Sequence, residues 1–161
     1  RQMCIRDSYR TIHISDNCGY YMLVDRFGRD GYNEWLDSLG VKYLHLIRTT
    51  SNWTSVCARD LAIIWNEIYL YSQKDTEVSR TLDSNFRNAL YNYLKVLQPD
   101  YDIAHKSGWT DEVFNDAGIV YEHNGNPYII AILSYDPEGN ILCPLALFLD
   151  EVMTDYYSTI Y

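Results

Sequence analysis

The sequence is poor in the features that most readily declare a chemistry. Its four cysteines, Cys4, Cys18, Cys57 and Cys143, form no Cys-x-x-Cys pair, and His13, His45, His105 and His123 are equally dispersed. That pattern excludes the usual spacings of a structural zinc site, and no metal is expected. It leaves both cysteine pairing and the redox compartment open. No apolar run approaches the length needed to span a bilayer; Tyr128–Ser134 and Cys143–Leu149 are both far too short. Basic residues are outnumbered, 13 against 22 acidic ones, for a formal charge of −9. Nucleic acid and anionic membranes are therefore not expected as partners. The acidic residues are scattered, so none marks an interaction tail, and no repeat or low-complexity segment is present.

What remains is a globular composition. A length of 161 residues suits one domain with a substantial core, and 16 Tyr with 4 Trp argue against disorder. The segment Arg1-Gln2-Met3-Cys4-Ile5-Arg6-Asp7-Ser8 has neither Met at position 1 nor the charged-then-apolar form of a signal peptide. Residues 1–10 are expected to be a non-native or disordered leader, with the domain proper at 11–161. Sequencing the native locus tests this.

Periodicity predicts helices before strands. Thr11–Ile14 reads as the end of a helix or a buried run. A helix is expected from Gly19 to about Phe27, and a second from Tyr32 to Leu39 stopped by Gly40. Val41–Asn52 has no clean period and reads as a loop. A long helix capped by Thr54 or Ser55 should reach Ser72, burying Leu61, Ile64, Trp65 and Ile68. Gln73–Ser79 reads as a polar break, with a helical turn near Val78–Leu82. Another helix is expected from Asp83 or Ser84, with Phe86, Leu90, Tyr93, Leu94 and Leu97 as its stripe, ending at Pro99.

Three strand-like runs follow: Ile103–Lys106, Asp116–Tyr121 and Tyr128–Ser134. Asn124-Gly125 between the last two is a hairpin signal. Asp136–Asn140 reads as a turn, and Pro144 as the first residue of a final amphipathic helix. The order implies an α+β fold, an antiparallel sheet flanked by helices. A three-stranded sheet closing a helical chain normally has companions, so either the sheet is a small α+β unit or earlier strands have been lost with the N-terminus.

Two short motifs carry the chemistry. Lys106-Ser107-Gly108 offers an ammonium and a hydroxyl for a carboxylate, and a missing Cβ where a substrate backbone can lie against the strand. Ser15-Asp16-Asn17 taken alone reads as a helix cap. Together, and with His105, Trp109 and Asn115-Asp116-Ala117-Gly118-Ile119-Val120 around them, they resemble the class A β-lactamase-like serine hydrolases. These belong to the superfamily of serine β-lactamases and penicillin-binding D,D-peptidases. The resemblance runs from about Thr11 to Tyr157 and implies the C-terminal part of a three-layer α/β/α sandwich. It also implies β-lactams or D-alanyl peptides as small-molecule substrates, no cofactor, and a bacterial extracytoplasmic location.

Carried over position by position, the resemblance makes Ser15 a proton relay to the leaving nitrogen and Lys106 its electrostatic partner. Asn17 would orient the substrate amide, Ser107 bind its carboxylate, and Gly108 leave room for it. Trp109 would give a backbone N–H to the oxyanion hole, its indole merely packing, and Asp16 would brace the loop. Two departures stand out. Such enzymes carry a Ser-x-x-Lys nucleophile, and no Ser in this chain has Lys three residues later. The region 41–59, where a deacylating Glu is expected, holds neither Asp nor Glu. The chain as given should therefore be inactive, and its parent slow to deacylate. A non-catalytic module binding carboxylate-bearing cell-wall peptides is the alternative from a different class, and a purely structural domain a third.

Overall fold

The computed structural model describes residues 2–47, 54–97, 101–121, 126–136 and 138–160. Six α-helices and three strands occur among them: α1 (Gln2–His13), α2 (Asn17–Phe27), α3 (Asp30–Ser38), α4 (Ala58–Ser72), α5 (Glu77–Arg87), β1 (Ile103–Trp109), β2 (Phe114–Val120), β3 (Tyr128–Ser134) and α6 (Leu142–Ile160). A 3-10 turn, Leu94–Leu97, precedes β1.

The sheet is antiparallel in the order β1-β2-β3, with His105 opposite Gly118 and Gly118 opposite Ile130. Strand side chains alternate between its faces. Ile103, Val120, Tyr128, Ile130 and Ile132 point to one face, where Leu94, Leu97, Leu142 and Ala146 cover them. Ala104, Ala117 and Ile119 point to the other, against Trp65 of α4 and Phe86 of α5. The result is a three-layer α+β sandwich, as expected, with α4 and α5 on one side and α6 with the 3-10 turn on the other. Burying both faces makes the apolar strands the centre of the core.

All three expected strands are present: β3 matches at both ends, β1 starts at Ile103 but runs past Lys106 to Trp109, and β2 begins at Phe114, two residues before Asp116. The Asn124-Gly125 turn lies outside the described residues. Gly139 N–H donates to Asp136 O (3.1 Å) in the turn foreseen there, and α6 begins two residues before Pro144. Gln2–Arg10, within the stretch expected to be a non-native or disordered leader, lie in a helix continuous with Thr11–His13.

The helix expected from Asp83 or Ser84 to Leu97 is corrected. The structure has α5 at Glu77–Arg87, started by Thr76, whose hydroxyl accepts from Ser79 N–H while Ser79 Oγ accepts from Thr76 N–H. One helix cannot carry that stripe because its residues serve opposite faces: Phe86 packs beside Trp65, whereas Leu94 and Leu97 lie across the sheet. Between them the chain rounds the edge of β1, with Tyr93 and Leu94 N–H donating to the Asp116 carboxylate.

The start of α4 differs as well. Cys57 occupies the cap position without a side-chain capping bond, not Thr54 or Ser55. The first-turn carboxylate of Asp60 is buried and turned to the preceding loop, accepting from Lys42, Tyr43 and Leu44 N–H. That loop is pinned again by Asn33, whose amide exchanges hydrogen bonds with both Leu46 N–H and Leu46 O.

Candidate active site

The turn between α1 and α2 and the outer strand β1 meet in a cavity of about 360 Å³. Its walls include Ser15, Asp16, Asn17, Lys106, Ser107, Gly108 and Trp109, so every candidate residue lines one cleft. Thr11 and Tyr20, which the motifs did not single out, complete it. They lie four residues before Ser15 and three after Asn17, on the helices that flank the turn. Helical spacing from the motif would have found both.

The turn is built by local chemistry. α1 ends as Ile14 and Asp16 N–H both donate to Arg10 O, and Ser15 takes a left-handed backbone (φ 56°) to make the reversal. Asp16 then starts α2: Oδ1 accepts from Cys18 N–H (3.0 Å), and Oδ2 lies 2.7 Å from Arg10 Nε. Asp16 thus braces the turn from both helices while its neighbours Ser15 and Asn17 face the cleft. The two helices pack closely because residue 19 is glycine; a Cβ there would lie 2.7 Å from Thr11 Oγ1.

On the other side, β1 offers an outer edge. Lys106 and Ala104 share the face toward α5, whereas His105, Ser107 and Trp109 share the opposite one. Lys106 Nζ donates to Ser15 Oγ at 2.7 Å, joining residues 91 positions apart, and also to Ser107 O. Burial of the Lys106 ammonium pushes its pKa below the ordinary lysine value, partly opposed by the Asp116 carboxylate. A buried amine that loses its proton more easily can exchange one with a neighbouring hydroxyl.

The rear of β1 is held by a second set of bonds. His105 Nδ1–H donates to Asp116 Oδ1 (3.0 Å), and both side chains are fully buried. Ser107 Oγ donates to Tyr91 O at 2.6 Å, which commits the single hydroxyl proton of Ser107 to the protein. Among the described residues lining the cleft, the cation that can meet a carboxylate is Lys106. Asn17, Gly108 and Trp109 are exposed, and a Cβ on Gly108 would meet nothing within 4 Å. That is the open space a ligand lying along the strand needs.

The loop at 41–47 brings no carboxylate, since its sequence has none. Among the described residues no group of three His, Cys, Asp or Glu side chains could hold a metal ion. No helix among them is long and apolar enough to cross a membrane.

Residues 8–145 match the model of the beta-lactamase enzyme family. No curated protein matches the chain. Among solved structures it is similar to PBP-A, with 25% identity over 97% of this chain and a TM-score of 0.77. A mutant of PBP-A, equally similar, was solved as an acyl-enzyme complex with penicillin G. A representative class A beta-lactamase from Bacteroides cellulosilyticus DSM 14838 shares the fold, with 22% identity over 91% of this chain and a TM-score of 0.74. The chain spans 62% of the length of each of these three proteins.

Proposed function

The chain belongs to the beta-lactamase enzyme family, and from that premise we propose that its cleft is one half of an acyl-serine hydrolase site acting on β-lactams or D-alanyl peptides. The observation that carries the reading is the 2.7 Å bond from Lys106 Nζ to Ser15 Oγ, which makes one unit of two otherwise separate motifs. In this reading Ser15 passes a proton between the attacking hydroxyl and the leaving nitrogen. Lys106, its pKa lowered by burial, tunes that hydroxyl and attracts the substrate carboxylate. Asn17 orients the substrate amide, and the Trp109 backbone N–H supplies part of the oxyanion hole. Gly108 gives the substrate backbone its clearance, and Asp16 holds the turn in register with β1.

The reacting serine has to come from elsewhere, since no Ser-x-x-Lys occurs in these 161 residues. Room for a segment carrying it lies beside the cleft. α1 presents Thr11 to the cleft and Ile5 and Ser8 to a groove of about 710 Å³, lined further by Phe27, Val78 and Leu82. With no Asp or Glu in the sequence of 41–59, an acyl-enzyme formed at this site would deacylate slowly, as in a penicillin-binding protein. Substrates of this class place the protein outside the cytoplasm.

Two measurements on the chain test the reading. Incubation with a reporter penicillin should give no stable mass increase; a covalent adduct refutes the inactivity of this polypeptide. N-acetyl-D-alanine, a simple carboxylate ligand, should slow chemical acetylation of Lys106. An unchanged modification rate would leave the cleft without a binding role and overturn the proposal.

A further inference from the structure

Ser107 does something in the structure that a plain carboxylate grip does not require. Its hydroxyl holds the Tyr91 carbonyl at 2.6 Å. The Tyr91 ring then meets the Trp109 indole edge-on, with centroids 4.6 Å apart and planes at 61°. One hydroxyl thus fixes the residue whose ring props the indole. Both rings remain open to solvent, Tyr91 46% and Trp109 40% exposed. A single edge-on neighbour leaves much of the indole surface available to another flat group.

Trp109 also lines the cavity that contains Lys106, and no arginine is among the described residues lining it. Charge is therefore supplied at one place and a propped apolar plane at another. Ser107 and Trp109 are two residues apart on one face of β1, about 7 Å along the strand. A ligand whose carboxylate sits by Lys106 meets the indole with a ring whose atoms lie three to six bonds further on, a reach of up to about 7 Å.

We propose that Trp109 is a specificity-determining residue, its indole stacking on an aromatic ring carried near the ligand carboxylate, so that N-acylated aromatic amino acids are the favoured class. This rests on the carboxylate-binding reading of the cleft. Exposure of both rings leaves the pair little to do for the core, whereas a stacking platform needs exposure and a fixed orientation together.

The test compares N-acetyl-D-phenylalanine with N-acetyl-D-cyclohexylalanine, which share a carboxylate and a carbon skeleton but differ in a flat against a puckered ring. Binding to the chain is followed by calorimetry and by the NMR shift of the Trp109 indole N–H. The flat ligand should bind about two- to tenfold tighter. In Trp109→Leu that ratio should fall to one or below, with a cooperative melt lowered by no more than a few degrees for the lost edge-on pair. Tyr91→Leu, which removes the prop and keeps the indole, should lose part of the preference. Equal affinities in the parent chain, or a preference that survives Trp109→Leu, overturn this inference and leave the cleft reading intact. Binding of neither ligand overturns both.

Discussion

Gly118→Ala is the substitution that most directly tests how the fold positions the site. β1 and β2 approach closely where His105 faces Gly118. A Cβ on Gly118 would lie 2.3 Å from the Ala104 carbonyl oxygen and 2.8 Å from His105 Cβ. Ordinary C···O contacts begin at about 3.3 Å, so the strand must retreat by about 1 Å. The oxygen is backbone and cannot rotate away. A retreat of that size stretches the neighbouring ladder hydrogen bonds past their useful range, at about 1 kcal/mol each for two of them. Overpacking itself costs about 1–3 kcal/mol. The sum is about 3 kcal/mol or more, roughly a hundredfold in the folded-to-unfolded ratio.

The same retreat carries Lys106, the next residue, from hydrogen-bonding distance of Ser15 to well beyond it. Urea unfolding followed by circular dichroism reads the first effect, and the rate of Lys106 acetylation the second. Gly108→Ala is the control. With nothing within 4 Å of its Cβ, it should change stability by less than about 0.5 kcal/mol while impairing ligand binding. If Gly118→Ala unfolds within about 0.5 kcal/mol of the parent, the close approach does not constrain β1 and the argument fails.

Other perturbations act on the supports of the cleft. Asp60→Ala should destabilise by about 3 kcal/mol in chemical denaturation, because Lys42, Tyr43 and Leu44 N–H lose their acceptor. Burial raises the Asp60 pKa, but those backbone donors outweigh it and hold it below the ordinary value. Its stabilisation is thus complete above the unfolded carboxylate pKa and lost as pH falls through the lowered folded one, an acid limb that Asp60→Asn should flatten. Lys106, lowered by burial against the pull of Asp116, gives the same sign in an alkaline window: stability should rise as pH climbs from its lowered value toward that of free lysine. Lys106→Met should abolish that rise in urea titrations at alkaline pH. Asp16→Ala removes the α2 cap and the Arg10 pair, and a melt should show a loss of about 1 kcal/mol.

The sheet was legible because its strands contain short apolar runs, rich in Ile and Val in β2 and β3, between turn residues, and such runs buried on both faces offer few alternatives. Both halves of the site were legible too, as tripeptides whose pairing means more than either alone. Contacts set by tertiary packing were less so. Asp60 falls in the first turn of a helix, where an acid is ordinary, and nothing local reveals that it anchors Lys42–Leu44 instead. The hydroxyl of Ser107 suited a carboxylate equally well, and only the path of residues 88–93 around the sheet edge brings Tyr91 O to it. The indole of Trp109 read as packing for the same reason: its exposure depends on where that path leaves Tyr91.

The misplaced helix explains how the two motifs come together. Leu90, Tyr93, Leu94 and Leu97 continue the spacing of Phe86, so pattern alone favours one long stripe over a break at Arg87. The capping box of Thr76 and Ser79 was the stronger local signal, but a Ser in place of the usual Glu or Gln obscures it. Once α5 is moved back to Glu77–Arg87, its role becomes plain. It packs on β1 along one side and on α1 along another, so it is the element through which the Ser15 turn is set against the Lys106 strand. Beyond its end, Leu90 N–H donates to His13 O at 2.9 Å, tying the chain after α5 to the last turn of α1. A helix continued through Leu97 would have no free N–H at Leu90 to give. The break that sequence periodicity smooths over is therefore one of the bonds holding Ser15 within reach of Lys106.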